Sequence, residues 1–138
     1  MSIQSIIEKL GLAPLEGEGG MWAPIYRDKS SNAIYFAMVA PDFSAWHRIP
    51  EPELWVHVAG SPVELFTVEG SQLNRHILDR ESADFTYRVP SKTWMAARPT
   101  GEWSLVICTL TPPFSKMELL EKSDPIVKEL DMPGLFHG

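Results

Sequence analysis

Residues 44–60 read SAWHRIPEPELWVHVAG, and the fold follows from the way they alternate. Pro50, Glu51 and Pro52 cannot continue a helix, because each proline lacks a backbone donor and biases the residue before it toward extended geometry. The chain turns there and restarts at Glu53. Beyond the turn Glu53, Trp55 and His57 share one face of a strand, and Leu54, Val56 and Val58 share the other. The unbroken Leu-Val-Val row is expected to face a packed core. The opposite face is expected to line a polar cavity floored by Glu53, His57 and, from the segment before the turn, His47.

The 138 residues suit one domain spanning the whole chain, long enough to bury an ordinary core. A formal net charge of -6 and a pI near 5.1 argue against nucleic acid and anionic membrane as partners, since both reward a concentrated basic face. The single Cys108 excludes an internal disulfide and a multi-cysteine zinc site; within WSLVICTL it reads as a small buried hydrophobe. No apolar window approaches the roughly 20 residues of a bilayer span. The N-terminal MSIQSIIEKLG mixes acid and base, unlike a secretory signal, so a cytoplasmic location is expected.

Ile3, Ile6, Ile7 and Leu10 form a helical stripe, with Ser2 as N-cap and Gly11 just past the end, which predicts a helix over 2–11. Gly17, Gly19 and Gly20 lack the Lys-Ser/Thr ending and the preceding strand of a phosphate loop, and read instead as a bend into a first strand. From AIYFAMV to WSLVICTL, short extended runs alternate with turns every roughly 8 to 12 residues, the cadence of an antiparallel sandwich or barrel over about 20–112. Ser115 to Glu118 matches a capping box, and Asp124-Pro125 precedes Ile126, Val127 and Leu130, so a helical segment is predicted over 115–131. His137 is expected to be solvated in a loosely held end.

The central stretch resembles the first motif of the cupin superfamily, glycine, five residues, H-x-H, three or four residues, glutamate, six residues, glycine. His47, Ile49, Glu53 and Gly60 stand at the two histidines, the glutamate and the closing glycine. Pro90 to Met95 is similar to the second motif, P-x-G-x-x-H, with Lys92 at the glycine and Met95 at the histidine. From Leu12 to about Leu120, the segments EGEGGMW, Tyr26-Arg27, AIYF, SAWHR, AGSPVEL, VPSKTWMAAR and GEWSLVICTLTPPF resemble a branch of small single-domain cupins. The resemblance implies an all-β double-stranded β-helix, a jelly-roll barrel that commonly forms a homodimer through its outer sheet.

Metal-binding cupins use three histidines and the glutamate. Ile49 and Met95 occupy two of those positions, and neither replaces an imidazole. His57 lies four residues beyond Glu53, roughly 13 Å along a regular strand, too far to share an ion with it. No cofactor is therefore expected, a divalent metal being the minor alternative with His47 and Glu53 as its weak candidates.

The chemistry is then expected from proton transfer. His47 suits a general base or acid, Glu53 an orienting group or a buried acid, and His57 a second donor; the alternative is that His47 and Glu53 form a buried structural pair. Trp22, Tyr26, Tyr35, Trp46, Trp55, Trp94 and Trp103 supply flat apolar surface. Of these, Trp22, Tyr26, Tyr35 and Trp55, with Ile49, Met95 and Arg98, are the expected ligand-binding set. Arg27 and Arg48 are further candidate clamps for an anion. Three functions fit: a non-redox isomerase, epimerase, lyase or cyclase acting on a small molecule; a non-catalytic binding or sensor protein; and a metal-dependent enzyme with a reduced ligand set.

Overall fold

The computed structural model describes residues 1–138. Helix α1, Ile3–Leu10, begins where the Ser2 hydroxyl accepts from the Ser5 amide at 3.1 Å and ends at Gly11, whose φ of 68° is the left-handed value that lets the chain turn back. Eleven strands follow: β1 Ala13–Pro14, β2 Met21–Arg27, β3 Asn32–Val39, β4 Ser44–Arg48, β5 Glu53–Gly60, β6 Val63–Glu69, β7 Gln72–Leu78, β8 Thr86–Val89, β9 Met95–Pro99, β10 Trp103–Leu110 and β11 Glu118–Leu119. They make two antiparallel sheets, ordered β1-β2-β3-β10-β5-β8 and β11-β4-β9-β6-β7. From β3 onward the strands alternate between the sheets along the chain, the β6–β7 hairpin excepted, and this is the double-stranded β-helix.

The interior between the sheets is filled by Phe36, Trp55, Leu65, Val89, Met95 and Val106, among others. Cys108 belongs to the same core, and burial pushes its thiol well above the ordinary range, as suits an inert packing residue. On the outside of the six-stranded sheet, Ile6 of α1 packs against Ala37 and Leu105. On the outside of the other sheet, Trp46 and Phe66 are covered by Leu120, Met132 and Leu135 from the C-terminal segment.

Three local expectations differ from this structure. On β5 it is Glu53, Trp55 and His57 that are buried, while Leu54, Val56 and Val58 are half-buried on the outer face. Alternation fixes which residues share a face but not which face is inside, and the bulky indole fills the barrel where the shorter row cannot. Residues 115–122 form no helix: the Ser115 hydroxyl donates to Glu51 at 2.6 Å instead of capping, and Glu118 pairs in β11 with Arg48 of β4. The helix in this region is α2, Pro125–Glu129, capped by the Asp124 side chain. His137 is not free in solvent, because its ring stacks on Phe43 at 4.0 Å and shares a 2.9 Å hydrogen bond with the Phe43 carbonyl.

Candidate functional site

Register places one row of side chains across the six-stranded sheet. Arg27 pairs with Asn32, Asn32 with Leu110 and Leu110 with Glu53, and directly opposed residues of an antiparallel sheet point to the same side. Facing this row is His47 on β4. The two walls enclose a cavity of about 260 Å³ whose apolar surface comes largely from Leu15, Trp22, Ile34, Ile49, Phe114 and Met117, and whose polar groups are Glu18, Arg27, Asn32, His47 and Glu53.

Glu18 and Asn32 are the polar members that sequence reasoning missed, and Glu18 lies nearest His47. It sits inside the glycine bend, and Gly19 shows why the bend needs glycine: φ is 94°, and a Cβ there would lie 2.3 Å from both the Phe43 carbonyl and the His137 ring. The close approach seats the loop on β4, where the Ala45 amide donates to the Glu18 carbonyl at 2.7 Å. A register irregularity between Ser44 and His47 breaks the alternation of β4. As a result both side chains reach Glu18: the Ser44 hydroxyl donates to Oε2 at 2.6 Å, and Nε2 of His47 lies 3.6 Å from Oε1. An acidic residue between glycines was the only sequence signal available, and a flexible bend was the simpler reading of it.

His47 is held in one tautomer. Nδ1 lies 2.7 Å from the Ala45 carbonyl, which can only accept, so Nδ1 carries a proton and Nε2 is the nitrogen turned to Glu18 and the cavity. Glu53 is of opposite character. Burial, reinforced by the negative charge of Glu18, raises its pKa to about 8 against the opposing effect of the Trp55 indole, which donates to Oε1 at 3.0 Å; Glu51 adds a smaller upward push. At pH 7 Glu53 is therefore mostly a protonated acid, on the same cavity as Nε2 of His47.

The remaining candidates separate by location. Trp22, Tyr26 and Ile49 line the cavity with His47 and Glu53. Trp55 and Met95 are core residues, 1 % exposed, Trp55 acting on the site through its bond to Glu53. Tyr35 packs on the outside near α1, and Arg98 pairs with Glu64, above the Phe66 ring. Arg48 makes a two-point contact with Glu118 and lies over Trp94. His57 points into the barrel but away from this cavity: Nδ1 accepts from the Arg80 amide and Nε2 donates to the Ser61 carbonyl, each at 2.9 Å, so both nitrogens are committed. The structure thus brings His47 and Glu53 together and leaves His57 as a bracket between the end of β5 and the turn at Arg80.

A second interior network links Glu69 to Thr67 and Tyr87, at 2.7 and 2.6 Å, with His76 stacked on Tyr87 at 3.6 Å. Burial and the hydrogen bond to Glu69 push the Tyr87 phenol up to about 12, so it stays a neutral donor. It joins β6 and β7 to β8 where the edges of the two sheets meet without backbone pairing.

The residues present do not fit the metal that the barrel fold implies. No three histidine, cysteine, aspartate or glutamate side chains lie where they could hold one ion. Ile49 places a hydrocarbon in the cavity, which offers an ion no ligand. No helix is long and apolar enough to cross a membrane.

Comparison with known proteins agrees with this architecture. A protein from Shewanella oneidensis superposes with a TM-score of 0.81 at 23% identity, over 88% of this chain and 85% of its own. A hypothetical protein from Leishmania major gives 0.80 at 18% identity, over 94% and 98%. An oxalate decarboxylase from Lactobacillus farciminis gives 0.67 at 15% identity, this chain spanning 89% of itself and 39% of that enzyme. No curated protein matches the chain. Residues 4–119 match the family model described as Cupin superfamily (DUF985), so this chain belongs to that superfamily.

Proposed function

We propose that this protein is a small-molecule enzyme of the non-redox, acid-base type, an isomerase, epimerase, lyase or cyclase. The observation that carries the reading is the pairing, on one largely apolar cavity, of a His47 whose Nε2 is turned to the cavity and to Glu18 with a Glu53 that retains its proton near neutrality. In the proposed step Nε2 of His47 takes a proton from an acidified carbon of the substrate, and the positive ring is stabilised by the Glu18 carboxylate. The electron pair left behind shifts within the substrate, and Glu53 delivers its proton to the atom that receives it. One proton leaves the substrate and one enters. An isomer results if both stay on one molecule, and a bond breaks if the protonated atom is a leaving group. Apolar walls favour a hydrophobic substrate of the kind made in biosynthetic pathways. The test is deuterium uptake from heavy water into the small molecules of a cell extract incubated with the protein. Uptake lost in both His47→Ala and Glu53→Gln supports the reading; uptake unchanged in both removes it.

The apolar lining also favours a second reading, a binding or sensor protein that holds its ligand unchanged; a saturable rise in Tm with no product would support it. The proposal requires no tightly held metal. Elemental analysis of tag-free protein giving a full equivalent of a transition metal would overturn that part. A cytoplasmic homodimer is proposed as well: Tyr35, Ile107 and Val56 form a half-buried row on the outer face of the six-stranded sheet. A monomer by light scattering would exclude it.

A further inference from the structure

Two hydrogen-bond donors at one end of the cavity are left without acceptors. Asn32 is 6% exposed, and its Oδ1 accepts from the Phe114 amide at 2.7 Å, which fixes the orientation of the side-chain amide. Its Nδ2 donates to nothing in the protein. Every completely shielded side-chain polar atom is satisfied, so this NH2 reaches the open space of the cavity. Beside it, Arg27, an exposed residue, lines the same cavity with no carboxylate in ion-pair reach. The neighbouring Asp28 is occupied with the amides of Ser30 and Ser31.

We infer that Arg27 and Asn32 anchor a carboxylate, and that the molecule this cavity takes is a small, otherwise apolar monocarboxylate whose reacting carbon lies several bonds from the acid group. A planar guanidinium and a primary amide present parallel N–H donors that match the two oxygens of one carboxylate. The spacing follows from register: Asn32 and Glu53 flank Leu110 in one row, so two strand separations, roughly 10 Å, divide the anchor from the acid. A volume of about 260 Å³ lies below the roughly 300 to 1,000 Å³ of drug-sized pockets and limits the molecule to a compact one. Leu110 between the ends, with Ile34 in the neighbouring row, offers no polar partner, so the middle of the ligand is hydrocarbon. The inference rests on the acid-base reading for the role of Glu53 but not for the anchor itself.

Calorimetric titration at pH 7 with hexanoate and 3-phenylpropanoate, each against its primary amide, tests the anchor. In the unaltered protein each acid is expected to bind at least about tenfold more tightly than its amide, the size of one charge-assisted hydrogen bond. In Arg27→Gln that ratio falls toward one while amide affinity holds. Asn32→Asp, which keeps the acceptor for Phe114 but replaces the donor by a negative charge, abolishes acid binding. Absence of binding by both acids, a ratio near one in the unaltered protein, or a ratio that survives Arg27→Gln overturns the inference. Tighter binding of inorganic phosphate than of either acid overturns the carboxylate assignment. The same titrations in His47→Ala separate the two proposals. An intact ratio with deuterium uptake unaffected by both site variants sinks the catalytic reading and keeps the anchor; a lost ratio with uptake abolished in them does the reverse.

Discussion

Nε2 of His47 lies 3.6 Å from Oε1 of Glu18, a residue brought in by the glycine bend and not by the strand that carries the histidine. The negative charge so delivered acts across the cavity, discouraging ionisation of Glu53.

The raised pKa of Glu53 makes stability depend on pH. An acid whose folded-state pKa lies above its unfolded value of 4.5 binds more protons in the native state, so its contribution is fully present below about 4.5 and is lost as pH rises toward about 8. The loss is on the order of a few kcal/mol. Glu53→Gln keeps an acceptor for the Trp55 indole without the charge, and is expected to flatten the fall and to be the more stable protein at pH 8 to 9. Thermal melts of both proteins from pH 5 to 9 check this; parallel curves would show that Glu53 does not titrate in that window.

Glu18→Gln removes the charge and retains an acceptor for Ser44. The apparent pKa of Glu53, followed by carbon-13 NMR of its carboxyl, is expected to move down from about 8 toward the ordinary range. A titration superimposable on that of the unaltered protein would mean that burial alone sets the value.

His57→Ala strands the Arg80 amide, takes one of two donors from the Ser61 carbonyl and opens a hole in a nearly fully buried place. A loss of about 2 to 4 kcal/mol in urea unfolding is expected, with carboxylate affinity unchanged. A stability loss within 0.5 kcal/mol, together with weakened binding, would return His57 to the ligand site.

Gly19→Ala sets a methyl group against the Phe43 carbonyl and the His137 ring at a backbone angle that L-residues avoid. It is expected to cost about 2 kcal/mol or more and, by lifting the bend from β4, to lower the apparent pKa of Glu53 as well. Gly70→Ala, also at positive φ but with open space around it, is the control and should cost about 1 kcal/mol or less. Equal losses in the two variants would reduce the Gly19 effect to backbone strain alone.

Local chemistry was enough to mark the extended runs, the turn at Pro50 to Pro52 and the capped helix at Ser2 to Gly11, because alternation, missing donors and cap side chains act over a few residues. Spacing along the chain, with the family resemblance it carried, was enough to single out His47 and Glu53. Tertiary structure alone decided which face of β5 points inward, since period two is blind to what lies across the barrel. It also set the fate of two residues that looked alike in the sequence: His57 spends both nitrogens on backbone, while His47 keeps one for the cavity. Glu18 and Asn32 gave no sign of a role, because each acquires it from residues far along the chain. Glu18 meets Ser44 and His47 through a bend and a strand irregularity, and Asn32 joins Arg27, Leu110 and Glu53 only in the register of four paired strands.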